Sequence, residues 1–527
     1  MLKRAFIAPD PGRVRARVSA RAVLGIGLAV AAAGACGLPL EAMITGGLVA
    51  LLALFNVADP TRRGQAVTTA LYPFVGFPVL ALAALLHGAP PARDAAFLAV
   101  VFFGVHARRW GPRGNALGIF AFMMFFAAQF LHTGPRELPL TLAAGMLALA
   151  VAALTRFVLW PIERRTPPPA QPAPLGGRGL GRPSTRQAFQ ALTACALALV
   201  AGQALSLDRW YWAVGAAWWI FVATASRGET LVRGFRRVLG TVTGLGAGFL
   251  IAVPADGAVL PTALVVAVCV FGTFYTAPLS YSWMMFWVTL MVGMLYGLLG
   301  VLHPGLLALR LEETAVGALA SAVAVALVLP ITTHAATDAW IRRAVGSVHA
   351  AARDAARRLA GDEAADPSPH IAELELLLGR VRMAVAPLVH PLSPLRARKA
   401  RARQALALLD DCARQARGLA EVAADPDASH DARLTAACER VEAAVHGLVR
   451  GRADGRTEGR AARAARARTA SAPGAENRAG APVPAGAEPH HPAAERALAH
   501  LHGLEAALEE LALPLHSSPR APLSTAA

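Results

Sequence analysis

Charge is scarce in this sequence. Only 16% of its 527 residues are Asp, Glu, Lys or Arg, where soluble globular proteins carry about 25%. Hydrophobic residues make up 55%, and the mean hydropathy is +0.46. This balance excludes an ordinary soluble enzyme and, equally, a disordered chain. Cysteine is scarce as well. Cys36, Cys195, Cys269, Cys412 and Cys438 form no CxxC and no Cys/His pair at metal spacing. They read as small apolar filler, and no metal site is expected. The sequence lacks GxxxxGK[ST], HExxH and GxSxG, so neither ATP drive within this chain nor catalysis is expected, and no cofactor is implied. Acids and bases are expected at the mouths of the apolar runs, as with Asp59, Glu229 and Glu312, and not near their centres. That expectation argues against proton-coupled antiport through buried carboxylates.

What charge there is carries one sign. The formal net charge is +17, from 51 Lys and Arg against 34 Asp and Glu. A basic chain suggests nucleic acid or membrane topology. Residues 1–343 hold 27 basic and 12 acidic residues, while residues 344–527 hold 24 and 22. The excess therefore belongs to the most hydrophobic part. Nucleic-acid binding needs a basic face on a soluble domain, and no such face is offered.

Long apolar runs supply the explanation. A transmembrane helix needs about 20 mainly apolar residues. Twelve candidates lie near 22–38, 42–57, 67–87, 95–106, 116–132, 138–160, 188–206, 211–226, 238–254, 261–277, 283–301 and 312–330. With the N-terminus in the cytoplasm, the inside segments hold 23 Lys and Arg. The outside loops hold four: Arg93, Arg136, Arg209 and Arg310. This is the positive-inside pattern, and it places both termini in the cytoplasm. Residues 1–37 also look like a cleavable signal or a lipidation site at Cys36, through AAAGAC. A retained first helix is the simpler reading.

The expected fold class is all-α: a polytopic membrane protein of about twelve transmembrane helices with a cytoplasmic helical C-terminal domain. The first six-helix half covers 1–160. A Pro/Gly/Arg linker covers 161–186, and the second half covers 187–330. Six spans per half give both halves one orientation, so they form parallel repeats. Helical apolar spacing then marks a cytoplasmic domain over 331–450. Residues 451–492 are low-complexity and read as disordered, and an amphipathic helix covers 493–512.

The strongest local signal is WYWAVGAAWWIFVATASRGETLVRGFRRVLGTVTGLGAG, residues 210–248. Trp212 sits at the outer end of the eighth span. Arg227, Arg233, Arg236 and Arg237 lie around the inner mouth of the ninth. Arg233, Arg237 and Thr241 are four apart and share a helix face. Guanidinium groups at a helix start suit carboxylate binding, by bidentate geometry and by the helix dipole. Plain positive-inside anchoring explains them as well. Gly240, Gly244 and Gly248 form GxxxGxxxG, which lets membrane helices pack closely.

The run from Tyr211 to Gly244, with Trp212, Arg227, Gly228 and RVLGTVTG, resembles the membrane domain of the fusaric acid resistance family. That group includes bacterial aromatic acid exporters and is distantly similar to plant aluminium-activated malate transporters. The resemblance covers about 187–330 and carries over to Trp212, Arg227, Arg237, Gly240, Thr241 and Gly244. It implies an exporter or channel for organic, often aromatic, anions in a bacterial inner membrane. The implied partners are the lipid bilayer and a small organic anion. A homodimer and a periplasmic adaptor protein are open options, and nucleic acid is not a partner. The first half has DPTRRGQAVTTALYPFVG but no RxxGTxxG, which leaves the equivalence of the two halves open. Two other readings compete: a non-transporting scaffold with an interaction tail, and a carrier of the major facilitator kind, whose loop motif ADPTRRGQ weakly resembles.

Overall fold

The computed structural model describes residues 10–158, 176–222, 224, 226–255, 258–359, 361–362, 364–389, 396–423, 432–450 and 492–516. Most of the linker expected at 161–186 and of the low-complexity stretch expected at 451–492 lies outside the described residues. The chain divides into two compact units, Met1–Thr332 and Thr333–Ala527. Among the described residues both are all-α, with no strand.

Twelve helices build the first unit among the described residues. They are α1 (Val14–Ala35), α2 (Leu40–Asn56), α3 (Arg62–Leu85), α4 (Pro90–His106), α5 (Gly111–Phe130), α6 (Leu138–Val158), α7 (Pro183–Leu205), α8 (Tyr211–Phe221), α9 (Arg227–Ala255), α10 (Val259–Thr276), α11 (Tyr281–Leu298) and α12 (Pro304–Leu327). Of these, α1, α3, α6, α7, α10 and α11 are long and apolar enough to cross a membrane. Large apolar side chains such as Leu28, Phe74, Leu154, Val200, Leu264 and Leu319 point outward from six different helices. A soluble monomer rarely exposes apolar surface on that scale. Lipid is the solvent that suits it, and the chain is a multi-pass membrane protein.

Helix pairing repeats along the chain. In the first six helices α1 packs on α2 and α6, α2 on α6, α3 on α5 and α6, and α4 on α5. In the second six, α7 packs on α8 and α12, α8 on α12, α9 on α11 and α12, and α10 on α11. The main pairings coincide after a shift of six helices, while the lesser contacts of α2 with α5 and of α8 with α9 have no counterpart. Contacts between the halves are reciprocal: α4 meets α7, and α10 meets α1.

Three helix boundaries differ from the sequence expectation, each for a local reason. The eighth helix ends at Phe221, not near 226, because Val222 turns extended and the Thr224 hydroxyl donates to the Phe221 carbonyl at 3.2 Å. Side-chain bonds of this kind compete with helix continuation. The segment SRGETLVRGFRR, expected as a loop, is the first part of the 29-residue α9. Ser226 and Glu229 start it as a capping box, with the Glu229 N–H donating to Ser226 Oγ and the Ser226 hydroxyl to the Glu229 carboxylate, each at 3.4 Å. The last helix starts at Pro304, eight residues before the expected span. Proline suits a first helical position, and His303 Nδ1 accepts the Leu306 N–H at 3.2 Å.

The second unit contains α13 (Thr333–Leu359), α14 (Ser368–Val389), α15 (Arg396–Ala423), α16 (Ala432–Arg450) and α17 (Pro492–His516). Their apolar stripes meet around Val348, Leu374, Val381, Leu409, Leu419, Val441 and Leu504, all buried. α13 packs on α14, α15 and α16, and α17 closes on α15 and α16. Cys412 lies inside this core, where burial pushes its thiol up to about 12. Since the thiolate is the reacting form, maleimide at neutral pH is expected to label exposed Cys36 well before Cys412. Rapid labelling of Cys412 in the native protein would contradict this packing.

Candidate functional site

The short α8 creates the first part of the site. Eleven residues rise only about 16 Å, so the helix stops inside the unit and leaves its last carbonyls without helical partners. Arginines take them. Arg233 Nε, from α9, donates to the Trp219 carbonyl at 3.2 Å. Arg108, from the turn between α4 and α5, donates to the Phe221 carbonyl at 2.7 Å. A helix C-terminus carries partial negative charge and favours cations. The Arg233 guanidinium also lies 3.8 Å over the Tyr281 ring, a cation–π contact.

Arg237 sits one turn further along α9 and is buried with Thr241. It donates to Tyr281 Oη at 3.3 Å and approaches Met285 Sδ at 3.4 Å. Its Nε is buried without a hydrogen-bond partner, as are Nε and Nη2 of Arg108. Arg233 feels the like charges of both Arg108 and Arg237. Arg227 and Arg236 are exposed. The Arg227 backbone N–H donates to the Ile331 carbonyl at 3.0 Å, and neither side chain joins the group.

The glycine face holds these residues in place. A Cβ at Gly240 would fall 2.5 Å from the Ser282 carbonyl oxygen and 2.7 Å from Met285 Cβ, and at Gly244 2.8 Å from the Phe286 carbonyl oxygen. At Gly248 the nearest atom is 3.7 Å away. The first two set the close approach of α9 to α11, and the third tolerates a methyl group.

The second part of the site lies at the opposite end of the same helices. Trp212 is packed among Phe126, Phe130, Tyr211 and Tyr296. The Arg310 guanidinium lies 3.4 Å over its ring, and Arg209 lies 5.3 Å over Tyr296. Glu313 is one turn beyond Arg310 on α12 and fully buried. Both of its carboxylate oxygens lack a hydrogen-bond partner, and so do Arg310 Nε, Trp212 Nε1, Tyr211 Oη and Tyr296 Oη. Orphaned buried groups are rare and call for an explanation. These gather in one place.

This arrangement corrects two sequence expectations. Arg310 belongs to no loop. It lies about 9 Å along α12 at 1.5 Å per residue and is 5% exposed. Ionisable groups also do lie inside a helix of the membrane unit, because the early start at Pro304 carries Arg310 and Glu313 inward. Sequence reasoning missed Arg108, Tyr281, Tyr296, Arg310 and Glu313. The proline at 304 was the signal that could have found the last two.

Together the residues form a row. Arg108, Arg233 and Arg237 enter from one end, Arg310 from the other, and Arg310 feels the charge of Arg237. None of the four makes an ion pair with a carboxylate among the described residues. Aromatic rings line both ends of the row. Elsewhere, Asp59, Trp110 and Arg113 line a cavity of about 470 Å³. Its acid and base already pair at 3.3 Å, which leaves no free charge there for a ligand.

The fold is that of a polytopic helical membrane protein whose interior carries guanidinium groups in no ion pair among the described residues. Residues 196–325 match the family model described as fusaric acid resistance protein-like. The matched window contains Trp212, Arg233, Arg237, Tyr281, Arg310 and Glu313. No curated protein and no solved structure matches.

Replacing Gly240 or Gly244 by Ala is expected to lower the melting temperature of the detergent-purified protein and its yield. The same change at Gly248 is expected to leave both near wild type. Equal effects at all three positions would contradict the packing of α9 on α11.

Proposed function

We propose that this protein exports organic anions, with aromatic carboxylates as the substrate class, across a bacterial inner membrane. The observation that carries the reading is the row of four guanidinium groups, those of Arg237 and Arg310 buried and those of Arg108 and Arg233 half-buried, flanked by aromatic rings and in no ion pair with a carboxylate among the described residues. A buried charge without a partner is costly, and a transient anionic ligand offsets that cost each time it binds. Planar guanidinium groups match carboxylates bidentately. Rings such as those of Tyr281, Trp212 and Tyr296 supply faces against which an aromatic body can stack.

The route runs between α8, α9, α11 and α12, entering at Arg108 and Arg233 and leaving past Arg310 and Trp212. The twelve helices of the first unit lie in the membrane as two parallel six-helix repeats, with α8 reaching only part of the way across, in accord with the repeated pairing of helices. Both termini then face the cytoplasm, and the Arg233 end is the cytoplasmic mouth. The major facilitator alternative finds no such support, since the family match covers the arginine-bearing half.

Two measurements test the reading. A strain deleted for the gene and challenged with a panel of aromatic and aliphatic weak acids is expected to be selectively hypersensitive to aromatic acids. Equal sensitivity to every acid would sink the substrate class. In proteoliposomes, Arg237→Ala is expected to raise the apparent substrate constant about ten- to a hundredfold, the value of a lost charge-assisted hydrogen bond, with normal membrane insertion. Unchanged export by a properly inserted variant would overturn the role of the row.

A further inference from the structure

The buried Glu313 carboxylate has no role in a simple cationic path. A path that selects anions by guanidinium groups gains nothing from a fixed negative charge. Yet Glu313 lies fully buried, one turn from Arg310 on the same face of α12, with both oxygens unpartnered. Ionisable groups inside membrane helices mark ion and proton pathways. The charges that face it are few. On α12 they are Arg310 and Glu312, and Arg209 comes from the turn before α8. Tyr211 of α8 and Tyr296 of α11 face it as titratable neutral groups. From α9, Arg237 acts on Arg310. Helix α7, also packed on α12, carries no ionisable side chain but Cys195 between Gln187 and Leu205.

Charge counting gives the consequence. With Glu313 ionised, the charges that face one another here, Arg310 and Arg209 against Glu313 and Glu312, sum to zero. An organic anion arriving at Arg310 leaves this group with a net charge of −1. In a low-dielectric interior an uncompensated charge costs several kcal/mol. One proton on Glu313 restores neutrality. We propose that Glu313 takes up a proton when an organic anion binds at Arg310, so that the site holds anion and proton together. The proton comes from water and ends on a Glu313 carboxylate oxygen, no covalent bond of the anion changes, and the occupied site is again neutral. The neutral carboxyl then becomes a hydrogen-bond donor toward the bound anion, which gives the orphaned oxygens a partner. The inference rests on the anion-transport reading and adds to it a coupling residue.

The test uses benzoate as probe on the full-length protein in detergent. Calorimetry in buffers of different ionisation enthalpy gives both the affinity and the number of protons taken up. Wild type is expected to bind benzoate with uptake of about one proton. Its dissociation constant should rise about tenfold per pH unit where Glu313 is ionised, as linkage of one proton requires. Glu313→Gln is expected to bind with no proton uptake and with a dissociation constant independent of pH. Infrared difference spectra of the wild type provide a readout without any variant. Benzoate should raise the carbonyl stretch of a protonated carboxyl group, which is read even if Glu313→Gln fails to fold. Benzoate binding to wild type without proton uptake, or with uptake retained in Glu313→Gln, overturns the inference and leaves the anion reading standing. Failure of wild type to bind benzoate at any pH overturns both.

Discussion

The membrane unit depends on a helix that stops too early. Because α8 ends at Phe221, open carbonyls of Trp219 and Phe221 lie within the unit. They hold Arg233 and Arg108 in position without neutralising them. A carboxylate there would close an ion pair and remove any affinity for an incoming anion. A helix end supplies only partial charge, roughly half an elementary charge, so the guanidinium groups are fixed and still unsatisfied. Everything else at this end follows. Tyr281 is placed under Arg233, Arg237 reaches the same hydroxyl, and the glycine face of α9 brings α11 close enough to deliver it.

The two halves share a plan of helix pairing but differ in how they treat charge. In the first half Arg156 donates to the carbonyls of Ala53 at 2.6 Å and Val57 at 3.3 Å, at the end of α2. It thus serves the second helix of its half, as Arg233 and Arg108 serve α8. Around it several groups are paired. Arg156 also reaches Gln65, Gln65 donates to the Asp59 carbonyl, Thr68 donates to the Asp59 carboxylate, and Arg113 pairs with that carboxylate. This first-half network is largely paired, although Asn56 Nδ2 and Tyr72 Oη near it are buried without a partner, whereas Arg237, Arg310 and Glu313 of the second half keep unpartnered atoms.

Much of this was legible in the sequence, and the reasons are physical. Apolar runs and their punctuation marked the helices of the membrane unit, since lipid allows few alternatives to a helix. The shared face of Arg233, Arg237 and Thr241 follows from helical spacing, and Arg227 and Arg236 fall off that face for the same reason. What the sequence concealed were features set by tertiary context. The end of α8 depends on one hydroxyl bonding one carbonyl. Arg108 reaches its partner across 113 positions of chain. Arg310 looked like a loop residue and Glu313 fell at the mouth of the expected span, because hydropathy averages across a charged first turn, and only the proline at 304 marked the earlier helix start.

The proposed transport requires an organic anion to occupy the row of arginines. The most direct measurement is a structure of the protein with 4-iodobenzoate, read from the anomalous signal of iodine. A peak is expected between Arg237 and Arg310, with the carboxylate toward a guanidinium group and the ring against Tyr281, Trp212 or Tyr296. Peaks confined to the exposed Arg227 and Arg236, or to the lipid-facing surface, would contradict it.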